Sequence, residues 1–218
     1  MRFSADALLF DCDETLVSSL RSVVHVWRQW LESYGMTLDE AMARVEVHGR
    51  SAAAVIADLL PADQVAEGVR RLQEAERADA LAGNVTPVAG AVELLAALPA
   101  DRWAVVTSSA HKVAEARLAG AGIHPKVLVT SDDLTHHKPH PQPFLLAAER
   151  LGVAPARCVV VEDSPAGLAA ACAAGMPAIA LTTTHAAAEL RAEAVVADLT
   201  AVSVQGSASG RLFVEVAL

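Results

Sequence analysis

Two pairs of carboxylates in this sequence each follow directly on a short run of apolar residues. Asp11 and Asp13 come after residues 7–10, and Glu162 and Asp163 close a second run of the same kind. Carboxylates this close together require a cation or a proton to offset their repulsion. Because carboxylate oxygens are the hard ligands that Mg²⁺ prefers, the residues predict a magnesium site.

Hydroxyl and ammonium groups follow two further apolar runs. Thr107 and Ser108 come where a helix is expected to begin, and the hydroxyls and backbone N–H groups there can bind an anion. Lys138 follows the next run and can stabilise a developing negative charge. Asp11 and Asp13 alone would also fit two residues that cap a loop. Their combination with these groups, in this order, predicts a joint site for a cation and an anion.

The elements that must position these groups alternate between apolar runs and helical patterns. Continuous apolar runs closed by polar residues are typical of parallel strands buried on both faces. We therefore predict an α/β fold with a doubly wound, mostly parallel, Rossmann-like sheet, whose ligands bind at the carboxyl ends of the strands. A Gly-Ser-Ala-Ser-Gly segment between two further runs predicts a C-terminal β-hairpin. The predicted strands are residues 7–10, 103–106, 127–129, 158–161 and 178–181, with the hairpin at 202–204 and 212–214.

Residues 16–84 interrupt this alternation and show no strand pattern. Thr37 and Glu40 have the spacing of a capping box, and Ser51 and Asp63 can each open a further helix. An all-helical insertion directly after the first strand predicts a small cap over the edge of the sheet. The predicted domains are a core of residues 1–15 and 85–218 and a helical cap of residues 16–84.

Composition restricts the partners and the compartment. The 218 residues are 53% hydrophobic, and 26 acidic against 17 basic residues give a net charge of −9. This charge disfavours nucleic acid and anionic membranes as partners. Three dispersed cysteines predict a reducing compartment rather than a disulfide framework, and Asp11 interrupts the only apolar run near the start that could resemble a secretory signal. We therefore expect a soluble cytoplasmic protein, a monomer or a weak dimer, that binds a small molecule.

Taken together, the four polar groups resemble those of the haloacid dehalogenase superfamily of phosphohydrolases, over nearly the whole chain. The helical insertion resembles the C1 cap of that superfamily. Within it, the chain most resembles bacterial sugar and sugar-alcohol phosphatases and glycerol-phosphate phosphatases. The matching segments are residues 11–15 (Asp-Cys-Asp-Glu-Thr), 107–108 (Thr-Ser), 138–139 (Lys-Pro) and 162–167 (Glu-Asp-Ser-Pro-Ala-Gly), with 48–50 (His-Gly-Arg), 88–91 (Val-Ala-Gly-Ala) and the terminal hairpin pointing to the sugar phosphatases.

The resemblance implies a phosphoric monoester hydrolase that works by covalent catalysis. Asp11 would attack phosphorus and form an aspartyl-phosphate intermediate. Asp13 would protonate the leaving alcohol and then activate water. Thr107 and Lys138 would bind the phosphoryl oxygens, with Ser108 as a further substrate contact.

The resemblance also implies the cofactor and the kind of substrate. Mg²⁺ would be held by Asp11, the main-chain carbonyl of Asp13 and Asp163, with Glu162 beside it. The substrate would be a small sugar or polyol phosphate enclosed by the cap. A cap loop formed by His48, Gly49 and Arg50 is expected to face the site, where Arg50 would contact that substrate and His48 fits either a substrate contact or a polar surface residue. Arg50 in particular offers the cation that a phosphate requires in an acidic protein.

Three residues depart from the pattern of the superfamily. Glu14 and His137 stand where glycine is usual, and Ser109 stands where glycine or asparagine is common. Glycine permits a positive φ at low cost, so we expect Glu14 to strain its turn or to bring negative charge near the phosphate.

Two other functions use some of the same residues. A phosphomutase of the β-phosphoglucomutase type shares the four motifs, but Val23 stands where those mutases carry a histidine, which favours hydrolysis. A phosphate-binding or phospho-sensing protein could accept phosphate on a strand-end aspartate without turnover. Asp13 and a cap that excludes water favour an enzyme over this second alternative.

Overall fold

The computed structural model describes residues 1–45, 51–206 and 211–217. Short strands and helices alternate through most of this length. The strands are Arg2–Ala5 (β1), Ala7–Phe10 (β2), Val17–Ser18 (β3), Thr86–Pro87 (β4), Trp103–Val106 (β5), Leu128–Val129 (β6), Cys158–Glu162 (β7), Ala178–Leu181 (β8), Ala194–Val196 (β9), Val202–Gly206 (β10) and Leu212–Val216 (β11). The helices are Leu20–Glu32 (α1), Leu38–Arg44 (α2), Ala52–Leu59 (α3), Ala62–Leu81 (α4), Ala91–Ala96 (α5), His111–Gly120 (α6), Gln142–Leu151 (α7) and Pro165–Ala173 (α8).

A six-stranded parallel sheet forms the centre of the molecule, in the order β6-β5-β2-β7-β8-β9. Strand β2 is fully buried, and its side chains alternate between two apolar clusters. Leu8 and Phe10 belong to one cluster, and Ala7 and Leu9 belong to the other. Because both faces of the sheet are covered, its strands need continuous apolar sequences. The predicted doubly wound α/β fold is confirmed.

The register of the sheet brings the ends of three strands together. Phe10, the last residue of β2, lies opposite Val105 of β5 and Val161 of β7. The residues that follow these strands therefore meet at one edge of the sheet. This geometry places the polar groups identified in the sequence beside one another.

A second, antiparallel sheet contains the predicted C-terminal hairpin, which is confirmed as β10 and β11. Strand β1 adds to it by pairing with β11, and β9 extends the main sheet next to β8. Neither β1 nor β9 is predicted by the sequence. Strand β1 is mostly exposed or half-buried, and β9 has three residues, so neither has a long apolar run to identify it.

Helices α1 to α4 lie between β3 and β4, which pair with each other in antiparallel fashion. The expectation that residues 16–84 contain no strand is therefore wrong at β3. That strand has only two residues, too few for a periodic pattern, and it forms because β4 lies beside it. The division of the chain at residues 16 and 84 stays a prediction.

The inserted helices have an apolar cluster of their own, which includes Trp30, Leu31 and Leu72. Trp30 Nε1 donates a hydrogen bond to the carbonyl of Gly68 at 2.9 Å, which joins α1 to α4. The capping box predicted at the start of α2 is present, and Ser51 caps α3 as predicted. Helix α4 also packs against α6 of the core. Within the described ranges, no helix combines the length and apolar character needed to cross a membrane.

Candidate active site

A buried lysine joins the ends of three strands. Lys138 Nζ donates to Asp11 Oδ1 at 2.6 Å, to Glu162 Oε1 at 2.7 Å and to the carbonyl of Val106 at 3.1 Å. Burial opposes the charge of the lysine, but Asp11 and Glu162 outweigh this effect and raise its pKa. Lys138 therefore stays protonated and fixes one oxygen of Asp11.

Glu162 is held by four donors. Its Oε1 accepts from Lys138, and its Oε2 accepts from the N–H groups of Asp163 and Ser164 at 2.8 and 2.7 Å and from Ser164 Oγ at 2.9 Å. These contacts orient the lysine and fix the loop that carries Asp163. Since both oxygens of Glu162 already accept hydrogen bonds, its position beside a metal fits this geometry better than direct ligation.

One carboxylate oxygen from each of Asp11, Glu162 and Asp163 lies within 4.8 Å of the other two. Burial, and then the charges of Glu162 and Asp163, raise the pKa of Asp11 despite the opposing effect of Lys138. Burial and the charge of Glu162 raise the pKa of Asp163 to about 7. One ammonium group against three buried carboxylates leaves an excess of negative charge. A divalent cation with a preference for oxygen, such as Mg²⁺, fits this set of donors.

Asp13 is surrounded by hydroxyl groups and a guanidinium. Oδ1 of Asp13 accepts from Ser19 Oγ at 2.7 Å and from Arg117 Nη1 at 2.9 Å. Oδ2 accepts from Ser109 Oγ at 3.1 Å, and the hydroxyl of Thr107 lies 3.5 Å away. The carboxylate is thus contacted from several sides beside the nucleophile candidate.

Two charged residues of this network were missed by sequence reasoning. Arg117 of α6 and Glu76 of α4 are both buried, and they form an ion pair at 3.0 Å. Of the two, only Glu76 lies in a periodic pattern of its helix. In α4 the buried positions repeat every four residues, and Glu76 lies between Leu72 and Ala80 in that stripe. Arg117 has no such signal, because the buried residues of α6 lie almost consecutively from Val113 to Leu118 and form no stripe.

Predicted site residues from the core line a common cavity of about 420 Å³. Ser109 and His137, which replace family glycines or asparagine, line it as well, and α1, α3 and α4 supply the opposite wall. His48, Gly49 and Arg50 lie outside the described residues, so the predicted cap loop stays a prediction. The predicted residues that line the cavity are Asp11, Asp13, Thr107, Ser108, Lys138 and Asp163. The inserted helices and the start of α3 contribute further lining residues that were not predicted as site residues, namely Val23, Trp27, Ser51, Ala52, Ala53, Val55, Gln73 and Glu76.

Glu14 adopts the conformation expected of the glycine it replaces. Its φ is 61°, in the left-handed region that is costly for a side chain with a Cβ. Its Oε1 accepts from the N–H groups of Ser19 and Leu20, each at 2.6 Å, at the start of α1. Glu14 is not among the residues that line the cavity. The expected strain is present, whereas the charge stabilises a helix N-terminus.

The threonines after β8 support the same edge of the sheet. Thr184 Oγ1 donates to Asp163 Oδ2 at 2.5 Å, and Thr183 Oγ1 donates to the carbonyl of Glu14 at 2.7 Å. Thr15 Oγ1 approaches Asp163 Oδ1 at 3.5 Å. The roles of Thr183 and Thr184 were not predicted, although a polar cluster directly after a buried strand is the signal that marks the other site residues.

Comparisons with known proteins agree with this geometry. Hexitol phosphatase A of Escherichia coli K12 is 37% identical over 79% of this chain and 81% of its own length. Glycerol-1-phosphate phosphohydrolase 2 of Saccharomyces cerevisiae is 34% identical over 84% of this chain and 77% of its own length. The crystal structure of CbbY from Rhodobacter sphaeroides in complex with phosphate superposes with a TM-score of 0.77, at 26% identity, over 89% of this chain and 95% of that chain.

The family assignment comes from a match to a family model. The model of the haloacid dehalogenase-like hydrolases matches residues 5–175, which span the insertion and each of the four groups of polar residues. The predicted class of enzyme, a phosphoric monoester hydrolase, is confirmed by the same comparisons. On the fold, the site and these matches, the chain belongs to the haloacid dehalogenase-like hydrolases.

Proposed function

We propose that this protein is a magnesium-dependent phosphatase that hydrolyses small sugar or polyol phosphate monoesters through an aspartyl-phosphate on Asp11. The observation that carries the proposal is the contact of Lys138 with both Asp11 and Glu162, beside Asp163. This contact fixes one oxygen of Asp11, which lies next to carboxylate oxygens that suit a divalent cation as ligands. Asp13 lines the same cavity and supplies a second carboxyl group for proton transfer.

In the first half-reaction, a carboxylate oxygen of Asp11 forms a bond to phosphorus, and the bond from phosphorus to the leaving oxygen breaks. Asp13, protonated at this stage, gives its proton to that oxygen, so the leaving group departs as a neutral alcohol. Thr107, Ser108 and Lys138 line the cavity beside Asp11, where they can bind the phosphoryl oxygens.

In the second half-reaction, Asp13 acts as a base. It removes a proton from water, the water oxygen attacks phosphorus, and the bond from phosphorus to Asp11 breaks. The products are inorganic phosphate and the original carboxylate of Asp11. The same residue therefore serves as acid and then as base, and one turnover restores its protonation state.

Asp11 and Asp163 would hold the magnesium ion directly, with the main-chain carbonyl of Asp13, while Glu162 keeps Lys138 and the loop of Asp163 in place. When bound, the ion supplies positive charge that offsets the repulsion between the phosphate and the carboxylates. The residues themselves exclude water and orient the nucleophile, since Asp11, Lys138 and Asp163 are all buried.

The substrate class is supported by the size of the cavity and by the relatives. About 420 Å³ is within the range of pockets that enclose small ligands. The relatives include a hexitol phosphatase and a glycerol-1-phosphate phosphohydrolase, which are named for small polyol phosphates. Since Asp11, Lys138 and Thr107 account only for the phosphoryl group, the cap side of the cavity must distinguish one monoester from another.

The decisive experiment is a screen of phosphate monoesters with Mg²⁺ present, in which release of inorganic phosphate is measured. The panel should include hexitol, hexose and glycerol phosphates. We expect kcat/KM for one of these to exceed that for p-nitrophenyl phosphate. Failure of the wild-type protein to release phosphate from every member would overturn the proposal.

Hydrolysis is preferred to isomerisation because Val23, an apolar residue, lines the cavity at the position where the related mutases carry a histidine. Incubation with glucose 1-phosphate separates the two, because a phosphatase releases phosphate and a mutase yields glucose 6-phosphate. A non-turnover phosphate sensor is disfavoured because Asp13 is held beside Asp11 in the cavity. We also propose the cytoplasm as the location, which the free cysteines Cys12, Cys158 and Cys172 support.

A further inference from the structure

A buried arginine connects the core to the cap. Arg117 of α6 is 3% exposed and Glu76 of α4 is 8% exposed. Nη2 of Arg117 donates to Glu76 Oε1 at 3.0 Å, while Nη1 donates to Asp13 Oδ1 and to Ser109 Oγ, both at 2.9 Å. Buried charges are costly unless they are paired, and removal of one partner leaves the others uncompensated. The guanidinium therefore binds a core carboxylate and a cap carboxylate at the same time.

This arrangement differs from that of an arginine poised to bind substrate. Both terminal nitrogens of Arg117 already donate to Asp13, Ser109 or Glu76, and the guanidinium is almost wholly enclosed. Burial raises the pKa of Glu76, whereas Arg117 opposes this effect, so the charge of Glu76 depends on the contact. The contacts indicate that Arg117 acts on Asp13 rather than on the phosphoryl group.

Asp13 has a short side chain that can turn about two bonds, and a proton donor must be aimed at the leaving oxygen to be effective. Ser19, Ser109 and Arg117 contact its two oxygens from different elements. Resting on the phosphatase function proposed above, we propose that Arg117 is a positioning residue that orients Asp13 for proton transfer. Glu76 of the cap holds Arg117 in place, so a cap residue sets the geometry of the acid–base group.

Aryl phosphates test this role without interference from hydroxyl recognition. Phenyl phosphate and p-nitrophenyl phosphate both lack sugar hydroxyls, but phenolate requires a proton on leaving far more than nitrophenolate does. The parameter to compare is kcat/KM, because it reports steps up to the first irreversible one and thus the half-reaction in which Asp13 is the acid. The variants are Arg117→Met, Arg117→Lys and Glu76→Gln. Arg157→Met is the matched control. Arg157 also pairs with an aspartate, Asp6, but this pair lies just before the amino end of β7, far from the cavity.

We expect Arg117→Met to lower kcat/KM for phenyl phosphate by about 10²-fold, the lower range of general acid–base effects, and for p-nitrophenyl phosphate by less than about tenfold. Arg117→Lys should recover part of the loss, because it restores a positive charge to the pair. Glu76→Gln, which keeps the size of the side chain, should show the same leaving-group pattern with a smaller loss. Arg157→Met should leave both values near those of the wild type.

Equal losses for the two aryl phosphates would overturn the proposal, because they would indicate a purely structural role for Arg117. An unchanged Glu76→Gln variant would overturn the part assigned to the cap. Thermal unfolding of each variant shows whether it is folded. If Arg117→Met does not fold, Glu76→Gln serves as the test of the leaving-group pattern. Failure of the phosphatase function itself is distinguishable, since it would show as absence of turnover in the wild-type protein.

Discussion

Gly167 lies against the carboxylate of Glu162, so close that a Cβ atom at this glycine would come within 1.6 Å of Oε1 and 2.0 Å of Cδ. The carboxylate cannot retreat easily, because four donors hold it. The first turn of α8 therefore provides the space that lets Glu162 reach Lys138. A glycine here is required by the site, although it is not among the residues that line the cavity.

We predict that Gly167→Ala displaces Glu162, weakens its contact with Lys138 and lowers kcat. Overpacking of this kind costs about 1–3 kcal/mol in free energy of unfolding, and the short distance to a fixed group favours the upper end. Urea denaturation and steady-state kinetics would measure both effects. Gly206→Ala is the matched control, since none of the described residues has an atom within 4 Å of a Cβ there. Equal stability of the two variants would contradict the prediction.

Asp11→Asn should abolish turnover without unfolding the protein. Loss of a covalent nucleophile costs on the order of 10⁶-fold in kcat in comparable enzymes. Lys138 keeps its contacts with Glu162 and the Val106 carbonyl, so the strand ends remain joined. Phosphate release and circular dichroism are the measurements, with Asp6→Asn, at the opposite end of the sheet, as the active control. Normal phosphate release by Asp11→Asn would exclude the covalent mechanism.

The stability of the metal-free protein should depend on pH through Asp163. Its pKa is about 7 in the folded protein, mainly because of burial and Glu162, against 3.8 for an ordinary aspartate. At a pH between 3.8 and about 7, Asp163 keeps its proton in the folded protein but has lost it in the unfolded chain. The contribution of Asp163 to stability therefore falls as pH rises from 3.8 to about 7. On the proposed role of Asp163 as a magnesium ligand, the ion would bind the deprotonated carboxylate, so its stabilising effect should be larger at pH 8 than at pH 5.

Thermal unfolding with and without Mg²⁺ at the two pH values checks this expectation. In Asp163→Asn the increase of Tm with Mg²⁺ should largely disappear, and the pH dependence of the metal-free protein should become shallower. An equal increase of Tm at pH 5 and pH 8 in the wild-type protein would contradict the assignment of Asp163 as a ligand. Full activity after exhaustive chelation would remove the metal from the mechanism.

Two substitutions at Glu14 separate its backbone conformation from its side chain. Both Glu14→Ala and Glu14→Gly lose the hydrogen bonds to the start of α1, but only glycine adopts a φ of 61° at low cost. We expect the alanine variant to be less stable than the glycine variant by about 1 kcal/mol. Since Glu14 does not line the cavity, kcat/KM should change little in either. A large loss of activity in both would place the carboxylate in the reaction instead.

The parts of the fold that the sequence predicts are those that local patterns determine. Strands β2, β5 and β7 have unbroken apolar runs because both faces of the sheet are covered, and each run ends at a polar residue that belongs to the site. Strand β3 has two residues and forms only because β4, nearly seventy residues later, pairs with it. Such a strand has no local pattern and requires knowledge of the tertiary structure.

The candidate site divides in the same way. Asp11, Lys138 and Asp163 follow buried strands, so their convergence could be predicted once the strands were placed. Arg117 and Glu76 lie within helices, and only the buried stripe of α4 shows that Glu76 needs a partner, without showing which one. Arg117 contacts Asp13 across 104 residues of sequence and Glu76 across 41. The packing of α4 on α6 identifies the pair with Glu76, and the position of α6 beside the segment after β2 identifies the pair with Asp13.

The two passages of chain that connect the cap to the core are hydrogen-bonded to each other, with Ser18 opposite Thr86 and Val17 opposite Pro87. Residues paired across antiparallel strands lie only about 5 Å apart, so the two ends of the helical block nearly touch. A block whose ends meet can be exchanged for another of different length with little cost in loop closure. Descendants of such a gene could acquire a new specificity by replacing one continuous segment, while the strands that end just before Asp11, Thr107 and Asp163 are inherited unchanged.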